Sequence, residues 1–113
     1  MTEQTTFEQF LKIDLRVGTI IETEEFSQAK KPAYILHIDF GTEFGVLKSS
    51  AQITNNYTLN DLVGMQVVAV INFPDKQIGP IMSQCLVTGF HQPDGSVTLC
   101  TTENTVPNGT RLL

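Results

Sequence analysis

The sequence predicts an all-β domain: a five-stranded Greek-key barrel with short helices and terminal extensions. Three observations carry that expectation. Apolar and polar residues alternate with period two in several short runs, most clearly at Tyr34, Leu36, Ile38 and Phe40. Segments rich in Gly, Pro, Asp and Asn, at 41–45, 92–95 and 106–110, separate those runs as turns. Helical signals are confined to two short stretches, one before the first strand and one between the third and fourth.

Thr5 with Glu8 three residues on has the spacing of a capping box and predicts a short helix whose stripe is Phe7, Phe10 and Leu11. Leu15, Val17, Thr19 and Ile21 make a first strand, and Gly18 within it predicts a bulge or a bend. A second strand over 34–40 turns through 41–45 into a third over 46–50, so these two are antiparallel neighbours. Residues 54–63 are polar around Tyr57, Leu59 and Leu62 and end at Gly64, which suits one or two helical turns. The near-continuous apolar run 65–73 reads as a central strand. Two prolines and a glycine over 74–80 predict an irregular loop; strands follow over 83–89 and 97–100. That order is the OB fold, the oligonucleotide/oligosaccharide-binding barrel, with its core over about residues 14–90.

A chain of 113 residues is one domain, large enough to hold a core without disulfides or metal. Seven Lys plus Arg stand against 12 Asp plus Glu, a net charge of -5, which excludes the broad positive footprint of a generic nucleic-acid binder. Any RNA site is therefore a local cluster drawn from Lys12, Arg16, Lys30, Lys31, Lys48, Lys76 and Arg111. The polar start, Thr2 to Thr6, predicts no secretory leader. The longest apolar stretch, 67–71, is far short of the roughly 20 residues of a membrane span, so no membrane insertion is expected. Cys85 and Cys100 lack ligand spacing and predict free thiols in a reducing cytoplasm.

Catalytic patterns are missing. His37 and Asp39 share a strand face but have no third ligand or nucleophile at a recognisable spacing, so they read as a solvated polar face. Ser49, Ser50 and Ser83 lack a nucleophile elbow, and Gly79-Pro80 is no phosphate-cradling loop. The acidic run 22–25 reads as a solvated strand end. The expectation is a protein that is not an enzyme, with no metal and no cofactor.

The segments Asp14-Leu15-Arg16-Val17-Gly18-Thr19-Ile20, Ile38-Asp39-Phe40-Gly41 and Lys48-Ser49-Ser50-Ala51-Gln52-Ile53-Thr54 come in that order, followed by Val68 to Pro74, Ser83 and Val106 to Thr110. Together they resemble the successive signatures of the CsaA-type tRNA-binding-domain family. The resemblance implies an OB-fold homodimer that serves as an export-related chaperone for unfolded preproteins, with SecA as a partner; the alternative it implies is recognition of tRNA structure. It carries an RNA face onto Lys31 (or its neighbour Lys30), Lys48, Ser49, Ser50, Gln52, Asn72, Lys76, Ser83 and Leu86. Lysine would supply charge for phosphates and the polar side chains hydrogen bonds to bases or riboses. Asp75, Gln77, Gly79, Pro80 and Met82 stand around Lys76 where relatives carry more basic charge, which predicts a shallow salt dependence.

Two further surfaces are expected. Phe44, Ile78, Ile81 and Met82 are more apolar loop residues than a minimal barrel needs and suit a peptide, although dimer contacts would account for them equally. Phe7, Phe10 and Leu11 at one end and Val97, Leu99, Val106 and Leu112 at the other are too apolar for idle tails and predict the dimer interface. Arg16 beside Asp14 reads as an internal ion pair.

Overall fold

The computed structural model describes residues 2–113. Helix α1, Phe7–Leu11, leads into strand β1, Leu15–Glu25; β2 is Tyr34–Asp39, β3 Val46–Ala51, helix α2 Leu59–Leu62 and β4 Gln66–Val70. Five short strands follow: β5 Lys76–Ile78, β6 Ile81–Ser83, β7 Leu86–Val87, β8 Gly89–His91 and β9 Val97–Leu99. The main sheet has the antiparallel order β3-β2-β1-β4-β7. Its edges curl together: the Gln84 N–H donates to the Lys48 carbonyl at 2.8 Å, and the Lys48 N–H donates to Gln84 Oε1 at 3.0 Å. The result is a nearly closed five-stranded barrel, the all-β OB-like fold expected.

Alternation fills the interior. Ile20, Leu36, Ile38, Phe40, Leu62 and Val67 are fully buried, each contributing about 1.5–3 kcal/mol of burial. A smaller cluster of Phe26, Ala33 and Ile35 lies beneath the β5–β6 hairpin, with Ile78 and Ile81 packed against it.

Several expectations are corrected. The N-cap of α1 is Thr6, reciprocated by Gln9, one residue later than the Thr5/Glu8 spacing. The β1 bulge falls between Ile20 and Glu22, not at Gly18. Gly18 serves a close crossing instead: a Cβ there would lie 2.6 Å from Ile38 Cγ2. The 74–80 segment is not irregular, because Lys76–Ile78 pairs with Ile81–Ser83 across a Gly79-Pro80 turn in which Gly79 has φ +54°. The 83–89 strand is broken, since β7 pairs with β4 whereas β8 pairs with β9.

The core also reaches beyond residue 90. Leu99 belongs to the main cluster, and the C-terminal segment is stitched to β1: Val17 N–H donates to Thr110 O, Gly109 N–H to Val17 O and Leu112 N–H to Leu15 O. Gly109 has φ +90° and passes so close to Phe40 that a Cβ would sit 2.6 Å from that carbonyl oxygen.

Candidate nucleic-acid interface

Three elements meet beside the barrel's closing seam. Lys30 and Lys31 ride on the loop after β1, which buried Phe26 anchors and which closes through the Phe26 N–H donating to the Ala33 carbonyl at 3.1 Å. Lys76 opens β5 opposite Ser83, and the Ser83 hydroxyl in turn accepts the Ser50 N–H at 3.1 Å. These ties set Lys30, Lys31 and Lys76 around one groove of about 600 Å³, lined also by Ser50, Gln52, Ile78 and Gly79. No Asp or Glu lines it, and none of the four ion pairs among the described residues uses a lysine.

Ser50, Lys76 and Ile78 form a wall shared with a second pocket of about 300 Å³, completed by Phe73, Pro74, Ser83, Gln84, Cys85 and Leu86. Phe73 and Leu86 are half-exposed, at 48% and 50%. The arrangement therefore joins cationic charge to an apolar pocket with polar groups on its wall, the pairing that single-stranded nucleic acids use.

The family model described as "Putative tRNA binding domain" matches residues 15–111. The chain belongs to this family. It is 34% identical over 97 residues to the methionine–tRNA ligase of Porphyromonas gingivalis strain W83, an alignment covering 86% of this chain and 14% of the ligase. The chain thus spans about a seventh of the length of the curated relatives it matches, and the similarity is to one portion of those enzymes. Among solved structures it is similar to the chaperone CsaA of Bacillus anthracis strain Ames, with TM-score 0.92, 46% identity and coverage of 98% of this chain and 100% of that one. The CsaA chaperone protein of Picrophilus torridus gives 0.90 and 44%, covering 97% and 100%. The MetRS-related protein of Pyrococcus horikoshii gives 0.87 and 25%, covering 99% and 100%.

Of the expected RNA-face residues on this tRNA-binding domain, Lys31, Ser50, Gln52, Lys76, Ser83 and Leu86 come together along the groove and its pocket, and Lys30 joins them. Lys48 is exposed on β3 two residues from Ser50, outside both linings. Ser49 is corrected: strand alternation turns it inward, where it is 1% exposed and out of a ligand's reach. Asn72 is corrected too, as a backbone clamp. Its Oδ1 accepts the Asp14 N–H at 2.9 Å and its amide donates to the Lys12 carbonyl at 2.7 Å, so both ends are spent on the N-terminal segment.

The expected peptide residues divide. Ile78 lines the groove, Ile81 packs against the small cluster and Met82 is 42% exposed on the hairpin. Phe44 lies elsewhere, under the Arg16 guanidinium at 4.7 Å from its ring centroid. Arg16 donates to Asp14 at 2.6 Å and to the Gly109 carbonyl at 3.1 Å, the internal ion pair expected. Phe73 and Gln84 were missed by sequence reasoning. An aromatic placed between an apolar strand and a proline, as in Asn72-Phe73-Pro74, is the signal that could have found the first.

His37 does not work with Asp39. Its Nε2 lies 2.7 Å from Glu24 and 3.6 Å from Glu22 across the bulge, while Asp39 Oδ1 accepts the Gly41 N–H at 2.9 Å. Cys85 lies in the pocket wall and is 6% exposed; burial pushes its thiol up to about 12, against a weaker lowering by its bond with Ser49.

The expected interface residues are also sorted. Phe7 is 70% exposed, Leu11 40% and Leu112 45%, and Ile13 and Leu113 add to the same exposed set. Arg111 Nη2 donates to the Leu11 carbonyl at 2.6 Å, which brings the two ends of the chain together. Phe10 and Val106 are half-buried, and Gln66 binds the Val106 backbone through both ends of its amide. Leu99 is corrected: at 4% exposure it belongs to its own barrel's core, and Val97 packs against that core.

No helix among the described residues is long and apolar enough to cross a membrane.

Proposed function

We propose that this tRNA-binding domain works as a cytoplasmic homodimer of the CsaA type, a non-catalytic chaperone for unfolded or pre-secretory polypeptides with SecA as a partner. The observation that carries this reading is similarity at 46% identity to a protein called chaperone CsaA over 98% of this chain and all of that one, a span that reaches into the terminal segments. Those termini bear the exposed Phe7, Leu11 and Leu112 on which a two-fold contact would form. Extended polypeptide is offered exposed Met82, Leu86 and Phe90. The test is suppression of aggregation of a chemically unfolded client by the purified protein, read by light scattering. Suppression near one client per dimer is expected; none at tenfold excess overturns the reading.

A specific observation favours a second reading, binding of tRNA. Three of the chain's five lysines line one groove that contains no carboxylate, on a protein of net charge -5. Titration of unmodified tRNA at several salt concentrations tests it. A log–log slope of roughly -2 to -4 is expected from three or four phosphate contacts, and a slope near -8 overturns the groove as the site.

A further inference from the structure

Building on tRNA binding, and resting on it, we infer that the groove and pocket form a one-nucleotide site for unpaired RNA. A single base is held in the pocket against Phe73, with its flanking phosphates among Lys30, Lys31 and Lys76. Volume is the first argument. About 300 Å³ is at the lower limit of the roughly 300–1,000 Å³ of small-ligand pockets, which suits one ring system.

Hydrogen-bonding capacity is the second. The Ser83 hydroxyl accepts the Ser50 N–H and keeps its own O–H for another partner. Gln84 uses its Oε1 on the Lys48 N–H, leaving both amide hydrogens to donate. A hydrocarbon side chain in the pocket would shut these donors away from water unpaired, whereas the carbonyl oxygens and ring nitrogens on a base edge accept them.

Charge is the third argument. The groove shares the Ser50–Lys76–Ile78 wall with the pocket, so a ligand spanning the two must be anionic beside its ring. Phe73, half-exposed in the pocket lining, supplies an aromatic ring on which a base can stack, an interaction indifferent to base identity. The site therefore reads strandedness rather than sequence.

The experiment uses the full chain and a single-stranded RNA hexamer carrying one 2-aminopurine, with the same hexamer in a duplex as control. Stacking quenches the fluorophore, so the single strand is expected to lose fluorescence on binding and the duplex to bind at least tenfold more weakly. Phe73→Ala should abolish the quenching and weaken binding roughly tenfold to a hundredfold. Phe73→Leu, which keeps an apolar wall, should also lose the quenching. Equal affinity for duplex and single strand overturns the inference. So does displacement of the hexamer by an acidic peptide carrying a phenylalanine at comparable affinity. tRNA bound equally by the protein and by Phe73→Ala overturns the one-nucleotide site and leaves the tRNA reading standing; no RNA bound at low salt removes both.

Discussion

The two apolar surfaces of this molecule differ in what their polar neighbours are doing. At the pole where the chain's ends meet, the polar groups are spent internally: Asn72 is clamped on the backbone of Lys12 and Asp14, Arg16 holds Asp14 and Gly109, and Arg111 holds Leu11. Exposed hydrocarbon is left over at Phe7, Leu11, Ile13 and Leu112. Beside the seam the reverse holds. Lysines without carboxylate partners and hydroxyl and amide donors with spare capacity surround Phe73 and Leu86. A surface with satisfied polar groups favours another protein surface, and one with unspent donors and charge favours a polar, anionic ligand.

The largest expected effect breaks the first surface alone. On the proposed homodimer, Phe7→Glu with Leu112→Glu removes two anchors per protomer, each worth about 1.5–3 kcal/mol when buried, and sets like charges against each other. Light scattering should report the 12.5 kDa chain in place of twice that mass, a weakening of self-association of at least about a thousandfold. Phe73→Ala should leave the mass untouched. Two variants with the same mass would mean that the ends do not make the contact.

A more uniform perturbation comes from the glycine that seats the C-terminal segment. Gly109→Ala forces a Cβ to 2.6 Å from the Phe40 carbonyl at φ +90°, whereas Gly45 has φ +73° with nothing within 4 Å of a Cβ. Backbone strain is common to both, at about 1–3 kcal/mol, and the clash adds a comparable amount only at Gly109. Urea unfolding should therefore place Gly109→Ala about 2–4 kcal/mol below the parent and below Gly45→Ala by about half of that. Equal midpoints would show that the terminal segment peels away at little cost.

These contrasts mark what was legible in the sequence. Period-two alternation gave the main strands because one face of each is buried, and it gave the β2–β3 hairpin because Gly41 and Gly45 bracket the turn. It failed at 74–80 because two prolines and a glycine read as an irregular loop when in fact Gly79-Pro80 is itself the turn of a hairpin. The family resemblance misplaced Ser49 by carrying function onto a whole motif, although neighbouring residues of a strand point to opposite sides and only Ser50 can face a ligand. The clustering of Lys30 and Lys31 with Lys76 was legible through the family resemblance alone and not through periodicity, since a gap of some 45 residues closes only when the loop after β1 folds over Phe26. Likewise Leu99 looks like a tail residue in sequence and is core because β9 doubles back over the barrel.

Counterion release sharpens the second surface. If phosphates sit among the three groove lysines, Lys30→Gln, Lys31→Gln and Lys76→Gln should each reduce the salt slope for tRNA by roughly one, and Lys12→Gln, at the terminal pole, should leave it unchanged. A slope that responds equally to Lys12 would mean that the RNA follows overall charge instead of the groove.

The smallest effect concerns the thiol beneath the pocket. Burial favours the neutral form of Cys85, so its folded pKa is raised from 9.0 to about 12 while the unfolded chain titrates near 9.0. Below pH 9 both states hold the proton and the contribution to stability is fully present. Between pH 9 and 12 the unfolded chain has lost a proton that the folded chain keeps, so stability falls as pH rises through that window and levels off above it. By pH 10 the loss is about 1 kcal/mol, and a Cys85→Ala variant should lack it. Subtracting the variant's pH profile isolates the contribution of Cys85. At pH 8 the native protein should show one thiol reacting readily with a disulfide reagent, that of half-buried Cys100, and Cys85 should react only on unfolding. Two fast thiols in the native state would mean that the pocket wall opens at Cys85, and a wall that opens could not hold a base in one place.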